Sequence, residues 1–457
     1  MSVTIKFDFR KYYSILKSNI LEKINILHIF LAVLALHFFI MSTPSDGFIF
    51  DEAHYIPASI DTLNGIAANA EHTPLAKMII GTSIGIFGNW WFAWRIMPVL
   101  FGSLSIIAVY FIASHFIAKK YALFAAAFVA FDILFFVNNS IAILDPQALF
   151  FALFGVALLL KKRYGWSALS CAIAVLSNEI ALTIVGGIGI YLLLTNIHVK
   201  KKIESIKTPK LKQFKSFIIF TLIFFMVVMS TMYAYELVYK PMESSSVVSN
   251  VAATVFVNST GNPITTSLTT SNSTNGVLIT NPIQQFIFAF NYYKGLTPTI
   301  KPSASDFRPA WSWAYPIINA GNPPMYFGIS TTTGTITNSI VHYYSQISYP
   351  VTIFLVPTLG LCFYYLWKKK DDGNFSKFFI GWNLATYLPW ILFSIFVQKM
   401  TFNYYFLYTT PVLDIGAVWF FSNLRLDTKY KDAMLAGLLI VTILFFAYYF
   451  PINVFRG

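Results

Sequence analysis

Long apolar segments separated by short basic connections run through most of the chain. A membrane-spanning helix needs roughly 20 apolar residues. Segments of about that length lie at 22–41, 94–117, 121–138, 141–160, 164–178, 180–197, 216–238, 348–367, 377–396, 404–423 and 432–451. The pattern therefore predicts an all-α polytopic membrane protein with about eleven transmembrane helices.

Composition strengthens this interpretation. The 457 residues are 56% hydrophobic and only 11% charged, whereas an average soluble domain has about 25% charged residues. Both cysteines, Cys171 and Cys362, lie inside apolar segments, so a disulfide framework does not hold the fold. The net charge of +13 is carried by short clusters between apolar segments, which favours membrane topology and excludes nucleic acid as the expected partner.

The basic clusters predict the orientation, because Lys and Arg are retained on the cytoplasmic side. Five basic connections fall on one side of the membrane under this count: 118–120, 161–163, 200–215, 368–370 and 425–432. The N-terminal segment 1–21 is then cytoplasmic and an odd number of spans places the C-terminus outside. No small-residue cleavage site follows segment 22–41, which we expect to be a retained span.

Two long loops lie outside the membrane in this topology. The first, 42–93, is comparatively acidic and belongs to an N-terminal module, 22–238. The second, 239–347, begins with an uncharged tract rich in Ser, Thr and Asn, with glycosylation sequons at Asn258 and Asn272, and continues as an aromatic cap. A C-terminal module, 348–457, follows. The uncharged tract and the scarcity of cysteine are typical of extreme environments, and an archaeal source is the hypothesis we take from them.

Two clusters in the first loop combine carboxylate and imidazole groups. "FDEAHY" spans 50–55, and "EHTPLAK" spans 71–77 and adds Lys77. A solvated loop with incidental charges is one alternative. A divalent metal site is another, since these are usual metal ligands, although no HExxH spacing is present. The candidate ligands are Asp51, Glu52, His54, Glu71 and His72.

Ionisable residues also fall within or at the ends of predicted spans, where charge is costly and marks a cavity, a partner or a pathway. They are Arg95, Asp132, Asp145, Glu179 and Lys399. Arg95 and Lys399 lie at the outer ends of their spans, on the same side as the acids of the first loop. This distribution favours an active site at the membrane surface over a conduit through the membrane.

The same motifs carry a family resemblance. "FDEAHY" followed by "EHTPLAKMIIG" resembles the paired first-loop motif of the protein O-mannosyltransferases, which have the GT-C glycosyltransferase fold. Four further segments resemble that family in the same order: 95–104, 131–151, 308–316 ("RPAWSWAYP") and 387–411. Together they extend over about 360 residues, which makes the combination much more specific than any single motif.

The chain departs from the family pattern at several positions. Residues that differ from the usual family residue are Thr73, Ala76, Ser140, Asn178, Lys399 and Tyr405. Several of these changes weaken or remove cations on the donor side. They leave the identity of the sugar open and, to a lesser degree, the class of acceptor.

The resemblance implies transfer of a sugar, mannose in the family, from a polyprenyl (dolichyl) phosphate to Ser or Thr hydroxyls of secreted or membrane proteins, with inversion. A hydroxyl is a poor nucleophile, so a general base is needed. Asp51 is the predicted base, with Glu52 as its orienter or as the second candidate. Fixed cations stabilise a departing phosphate. Arg95 and Lys399 are the predicted phosphate ligands, with Lys77 and His72 beside them.

Further residues are predicted to contact the sugar, the acceptor or the lipid. They are His54, Glu71, Trp311, Trp313, Trp390, Tyr404 and Tyr405. An interfacial aromatic belt is the alternative interpretation of the aromatic members. No metal ligand is assigned, although a divalent metal is left open, and so is the oligomeric state.

Three other functions are considered. Transfer to a lipid or a glycan, as in the aminoarabinose lipid A transferases, is the closest alternative. An oligosaccharyltransferase is disfavoured because its Trp-Trp-Asp-Tyr-Gly motif is absent and "NWWFAW" at 89–94 lacks the Asp and Gly. A membrane transporter or a non-catalytic scaffold would need no base at Asp51.

Overall fold

A computed structural model describes most of the chain, including the segments that contain the predicted site. The described residues are 25–197, 211–241, 255–257, 263–265, 282–295, 309–314, 325–327, 329–331, 343–368, 374–397 and 401–452. The sequons at Asn258 and Asn272, most of the predicted loop 239–347, and Lys399 lie outside the described residues.

The first half of the described chain consists of helices joined by short connections. They are α1 (Ile26–Ile40), α2 (Glu52–Leu63), α3 (Leu75–Phe87), α4 (Trp91–Phe116), α5 (Lys119–Ala130), α6 (Ile133–Asn138), α7 (Asp145–Leu160), α8 (Tyr164–Ser177), α9 (Leu182–Ile197) and α10 (Leu211–Val238). A 3₁₀ turn, Glu179–Ala181, joins α8 to α9. Helices α7 and α8 pack against each other, and α4 packs against α7.

The second half continues the bundle. Its helices are α11 (Pro282–Gly295), α12 (Tyr349–Thr352), α13 (Leu355–Lys368), α14 (Asn374–Thr386), α15 (Leu388–Leu392), α16 (Thr410–Ser422) and α17 (Thr428–Tyr449). Shorter helical turns are Ala310–Ser312, Phe393–Val397 and Asn403–Tyr408. Helix α14 packs against α9, and α16 packs against α5, so the two halves share one apolar core.

Short two-stranded ribbons connect loop segments at the ends of the helices. The strands are β1 (Gly47–Ile49), β2 (Ile66–Ala67), β3 (Lys240–Pro241), β4 (Val255–Val257), β5 (Pro263–Thr265), β6 (Met325–Phe327), β7 (Ile329–Thr331) and β8 (Tyr343–Ser345). The pairs are β1–β7, β2–β3, β4–β5 and β6–β8. The antiparallel β1–β7 pair places Phe48 opposite Ser330 and ties the start of the first long loop to the second.

Among the described residues, five helices are long and apolar enough to cross a membrane: Trp91–Phe116, Phe217–Val238, Tyr349–Lys368, Asn374–Phe396 and Thr428–Tyr449. Shorter apolar helices of 10 to 17 residues, such as Ile26–Ile40 and Asp145–Leu160, lie among them. The structure thus confirms a mostly helical membrane protein. The count of eleven spans and the division into modules stay predictions.

One predicted span is not a continuous helix. Segment 121–138 divides into α5 and α6, because the chain turns at Phe131 and Asp132 then accepts a hydrogen bond from the backbone N–H of Phe135 at 2.9 Å. An Asp side chain that satisfies a free N–H at a helix start favours a new helix over continuation of the old one. Apolar periodicity alone did not indicate this break.

The first long loop folds as two helices packed against the bundle. Helix α3 approaches α2 so closely that a Cβ atom on Gly81 would lie 2.5 Å from the carbonyl oxygen of Ser59. Only glycine fits without displacing backbone at that distance. The loop is therefore a rigid cap, and it carries the two acidic clusters.

Candidate active site

Asp51 lies where strand β1 turns into helix α2. Phe50 has a positive φ of 50°, which makes the sharp turn, and Asp51 occupies the position before the first helical residue. Its carboxylate makes no capping hydrogen bond to the helix, and the residue as a whole is half-buried. The Asp51 side chain is therefore not used to start α2.

Glu52 and Arg95 form a buried ion pair. The Nε of Arg95 is 2.8 Å from Oε1 of Glu52, and Nη2 is 2.7 Å from Oε2. Both side chains are completely buried. Two parallel hydrogen bonds between a guanidinium and a carboxylate fix both the distance and the orientation of the pair.

The remaining hydrogen-bonding capacity of this pair is also used. Arg95 donates to the carbonyl oxygens of Met41 at 2.8 Å, Pro44 at 2.9 Å and Gly47 at 3.2 Å. Glu52 accepts from the backbone N–H groups of Ile49 and Ala142, at 2.8 and 2.7 Å. The pair joins α4, the start of the first loop and the segment after α6, and so fixes the position of Asp51.

This geometry opposes two of the predicted roles. A guanidinium has five N–H donors, and the contacts of Arg95 with Glu52, Met41, Pro44 and Gly47 use them all, so Arg95 has none left for a donor phosphate. Glu52 is equally enclosed and cannot reach an acceptor hydroxyl. Both side chains are held in a buried hydrogen-bond network, whereas the Asp51 carboxylate makes no hydrogen bond to the start of α2.

Lys77 is a second buried cation with a structural environment. Its Nζ donates to the carbonyl oxygens of Ala68 at 3.0 Å, Asn69 at 2.5 Å and His72 at 3.0 Å, and its side chain is only 1% exposed. The three ammonium hydrogens thereby hold the loop before α3. This arrangement opposes direct binding of a phosphate by Lys77.

His72 lies between two polar side chains. Its Nδ1 is 2.8 Å from Oε1 of Glu179, and its Nε2 is 3.1 Å from the hydroxyl of Tyr55. Burial alone would lower the pKa of His72, but the charge and hydrogen bond of Glu179, with the charge of Glu71, outweigh burial and raise it. His72 therefore binds a proton more readily than a free imidazole does.

Burial and neighbouring charges shift the pKa of Asp51. Burial raises the pKa of Asp51 to about 7, the positive charge of His72 lowers it, and the carboxylate of Asp145 raises it. A general base works best when its pKa lies near the working pH. The pKa of Asp51 thus lies in the range that suits a general base at neutral pH.

Three further residues lie near Asp51 and His72 but were not in the site predicted from the sequence. Tyr55 is one turn after Asp51 on α2, Glu179 begins the turn between α8 and α9, and Asp145 is the first residue of α7. Asn178 donates to Oδ1 of Asp145 at 3.3 Å. Asp145 and Glu179 had a signal, as charges at the ends of apolar segments. Tyr55 is the last residue of the motif "FDEAHY", but nothing in the sequence assigned it a role of its own.

The predicted aromatic residues divide into two groups. Tyr405 stacks on Trp390 with ring centroids 4.5 Å apart, and Tyr404 contacts Phe50 at 5.4 Å, so this group adjoins Asp51. Trp313 is 1% exposed and packs in the core beside Tyr387, whereas Trp311 is 44% exposed. The burial of Trp313 opposes its predicted role in a sugar or lipid groove.

The remaining predicted residues lie at the edge of the site. His54 lies on α2, where loss of hydration lowers its pKa and the charge of Glu71 opposes that shift. Glu71 accepts a hydrogen bond from Asn69 at 2.7 Å. In the described part of the chain, no group of three or more His, Cys, Asp or Glu side chains is arranged to hold a metal ion. The alternative metal site therefore has no geometric support there.

Similarity to solved structures covers nearly the whole chain. The yeast (Saccharomyces cerevisiae) protein O-mannosyltransferase Pmt1–Pmt2 complex bound to the sugar donor matches 97% of this chain and 91% of that chain, with a TM-score of 0.65 and 13% identity. ArnT from Cupriavidus metallidurans, bound to undecaprenyl phosphate, matches 92% of this chain with a TM-score of 0.54 and 12% identity. An Archaeoglobus fulgidus oligosaccharyltransferase matches 95% of this chain with a TM-score of 0.51 and 12% identity.

These likenesses define the fold as the GT-C fold of membrane glycosyltransferases. At the sequence level, a polyprenol-phosphate-mannose–protein mannosyltransferase from Corynebacterium glutamicum is 32% identical over 124 residues. That match spans 24% of this chain and 24% of the relative. No family model matches. The predicted resemblance to the protein O-mannosyltransferases is confirmed.

Proposed function

We propose that the protein is an inverting glycosyltransferase that moves a sugar, mannose, from a polyprenyl (dolichyl) phosphate to Ser or Thr hydroxyls of protein acceptors. The observation that carries the proposal is Asp51, a half-buried residue in the first loop of a GT-C fold, whose carboxyl pKa burial raises to about 7 and the charge of His72 lowers. The mannosyltransferase relative and the fold shared with Pmt1–Pmt2 support this donor and acceptor.

The reaction is a single displacement. Asp51 takes the proton of the acceptor hydroxyl as its oxygen attacks the anomeric carbon. The bond from that carbon to the phosphate oxygen breaks on the opposite face, and the lipid phosphate leaves with the electron pair. Attack opposite the leaving group inverts the configuration of the anomeric carbon.

The departing phosphate gains negative charge and needs cations nearby. Arg95 and Lys77 already donate to carboxylate and carbonyl oxygens. We therefore assign this role to the charge of His72 and to Lys399, which follows α15 in the sequence. An ammonium such as that of Lys399 acts as a point charge and lacks the bidentate geometry of an arginine.

The membrane arrangement completes the proposal. We place the N-terminus in the cytoplasm and Asp51 on the external face, in a multi-pass protein of about eleven spans. Membrane lipid surrounds the apolar helices, and the aromatic group of Trp390, Tyr404 and Tyr405 contacts the sugar or the lipid chain. An archaeal source stays a prediction from composition.

The experiment that tests the proposal uses purified protein with radiolabelled polyprenyl-phosphate mannose, with the glucose compound as a matched donor, and a Ser/Thr-rich peptide. We expect label in the peptide, from the mannose donor. Label only in lipid or glycan would reassign the acceptor. No transfer from either donor, by protein shown to be folded, would favour a transporter or scaffold.

A further inference from the structure

Three side chains from separate segments form a continuous polar chain beside Asp51. Glu179 contacts Nδ1 of His72 at 2.8 Å, and Nε2 of His72 contacts the Tyr55 hydroxyl at 3.1 Å. Tyr55 lies one helical turn after Asp51, so its side chain is on the same face of α2. This series of polar side chains connects the α8–α9 turn with the helix that follows the proposed base.

The position of Glu179 is fixed from both sides. Asn178 caps the 3₁₀ turn by accepting from the N–H of Ile180 at 3.1 Å. The second carboxylate oxygen of Glu179 accepts from the N–H of Thr73 at 3.2 Å, and the hydroxyl of Thr73 donates to the carbonyl of Val175 at 2.8 Å. Glu179 is therefore held in one orientation toward His72.

The ion pair is largely shielded from water, with the side chains of His72 and Glu179 only 13% and 12% exposed. A shielded pair is screened much less than one on the surface. When both ring nitrogens of His72 carry hydrogen, one donates to Glu179 and the other to Tyr55. The Tyr55 hydroxyl can accept from a protonated Nε2 or donate to an unprotonated one, so the contacts accommodate the imidazolium as well as the neutral ring.

We propose that Glu179 is a positioning residue that holds His72 as an imidazolium and, through that charge, sets the protonation state of Asp51. The proposal rests on the proposed function in one respect, because it takes Asp51 as the base. It assigns a role to Glu179 and Tyr55, which act through His72 and do not touch the reacting atoms.

The charges around these groups determine the direction of the effect. Glu179 and Glu71 raise the pKa of His72, whereas Lys77 lowers it. The charge of His72 lowers the pKa of Asp51, and Asp145 raises it. The charge of Glu71 also raises the pKa of His54, on α2, and the charge of His72 lowers it. Tyr55 faces the carboxylates of Asp51 and Asp145, and burial together with these charges keeps its hydroxyl neutral.

Removing the charge of Glu179 should therefore act in two linked steps. His72 loses its main source of stabilisation as a cation, so its pKa falls. Asp51 then loses the favourable charge of His72, so its pKa rises and a smaller fraction is ionised at neutral pH. An opposite charge at close range shifts a carboxyl pKa by about 1 unit or more.

The test compares pH profiles of kcat/KM for wild type and Glu179→Gln. We expect the acidic limb, which reports ionisation of Asp51, to move up by about one pH unit in the variant. Gln can still accept the Thr73 N–H, which preserves the local fold. Glu179→Asp retains the charge and should restore the limb most of the way to its wild-type position.

A matched control separates the specific contact from a general loss of negative charge. Glu71→Gln removes a carboxylate that also faces His72 but makes no hydrogen bond to Nδ1 in the described structure. We expect its acidic limb to move less than that of Glu179→Gln. Equal shifts in the two variants would overturn the assignment of Glu179 as the positioning residue.

A second measurement does not depend on transfer activity. NMR titration of histidine-labelled protein, with His72→Gln used to assign the resonance, reports the pKa of His72 directly. A lower His72 pKa in Glu179→Gln supports the positioning role of Glu179 even if no sugar transfer is found. In that case only the proposed function fails. An unchanged His72 titration, or an acidic limb that does not move in folded Glu179→Gln, would overturn the proposal.

Discussion

At the scale of single residues, neighbouring acids have opposite environments. Glu52 accepts four hydrogen bonds in a completely buried pocket, whereas Asp51 is partly exposed and makes no capping bond. Adjacent positions of the chain therefore hold one carboxylate inside a buried ion pair and one outside it. The sequence predicted both acids as site residues, but which atoms each one meets depends on Arg95 and Ala142, 43 and 90 positions away.

The buried pair gives the first prediction. Glu52→Gln leaves the guanidinium of Arg95 without its counter-charge, and breaking a buried pair costs about 3 to 5 kcal/mol. We expect a large fall in the thermal unfolding temperature of the purified protein. The exposed pair Lys429–Asp427, at 3.9 Å, is the matched control, and Lys429→Ala should leave that temperature unchanged. A stable Glu52→Gln protein would contradict the structural role.

The contacts of individual residues explain which site residues the sequence could predict. The roles of Arg95 and Lys77 were predicted from charge near a membrane surface, and charge does not indicate how many donors are already used. Their burial follows from tertiary contacts with carbonyl groups of Met41, Pro44 and Ala68. Asp51, His72 and the group around Tyr404 lie near one another, because their motifs lie on segments that the fold joins.

At the scale of elements, close packing fixes α2 and α3 against each other. The pattern of apolar residues located the helices but gave no indication that Gly81 had to lie against the backbone at Ser59. The break between α5 and α6 was missed for the same kind of reason. A single side chain, Asp132, overrides apolar periodicity by satisfying a backbone N–H.

Substitution of Gly81 tests this packing. Gly81→Val should force α3 away from α2 and misplace His72, which precedes α3, so both stability and transfer rate should fall. Gly437→Val is the matched control, because a Cβ at Gly437 meets nothing within 4 Å. Thermal unfolding and peptide labelling provide the two readouts. Equal behaviour of the two variants would show that α2 and α3 need no close approach.

At the scale of the whole molecule, the fold was predictable because apolar segments of membrane length and an ordered set of motifs both point to it. The number of membrane spans was less predictable from the sequence. Within the described part of the chain, five helices reach spanning length and composition, while others are shorter and packed within the bundle. Helix length in such a bundle depends on packing and tilt as much as on the sequence.

The orientation can be tested with cysteine labelling. Cys171 and Cys362 are buried, so introduced cysteines at exposed positions should dominate the reaction. We expect Asn64→Cys, in the first loop, to react with an impermeant maleimide in intact cells. Asp427→Cys, whose position is 74% exposed beside the basic loop 425–432, should react only after permeabilisation. The reverse pattern would place Asp51 in the cytoplasm.

The central claim is that Asp51 is the general base of a sugar transfer from lipid phosphate. Its most direct test is the single-turnover rate of Asp51→Asn with radiolabelled polyprenyl-phosphate mannose and a Ser/Thr peptide. Asn has the same shape and leaves the Glu52–Arg95 pair untouched, so the protein should keep the wild-type unfolding temperature. We predict a rate about 100- to 10,000-fold below wild type. A folded Asp51→Asn protein that transfers mannose at the wild-type rate would contradict the account.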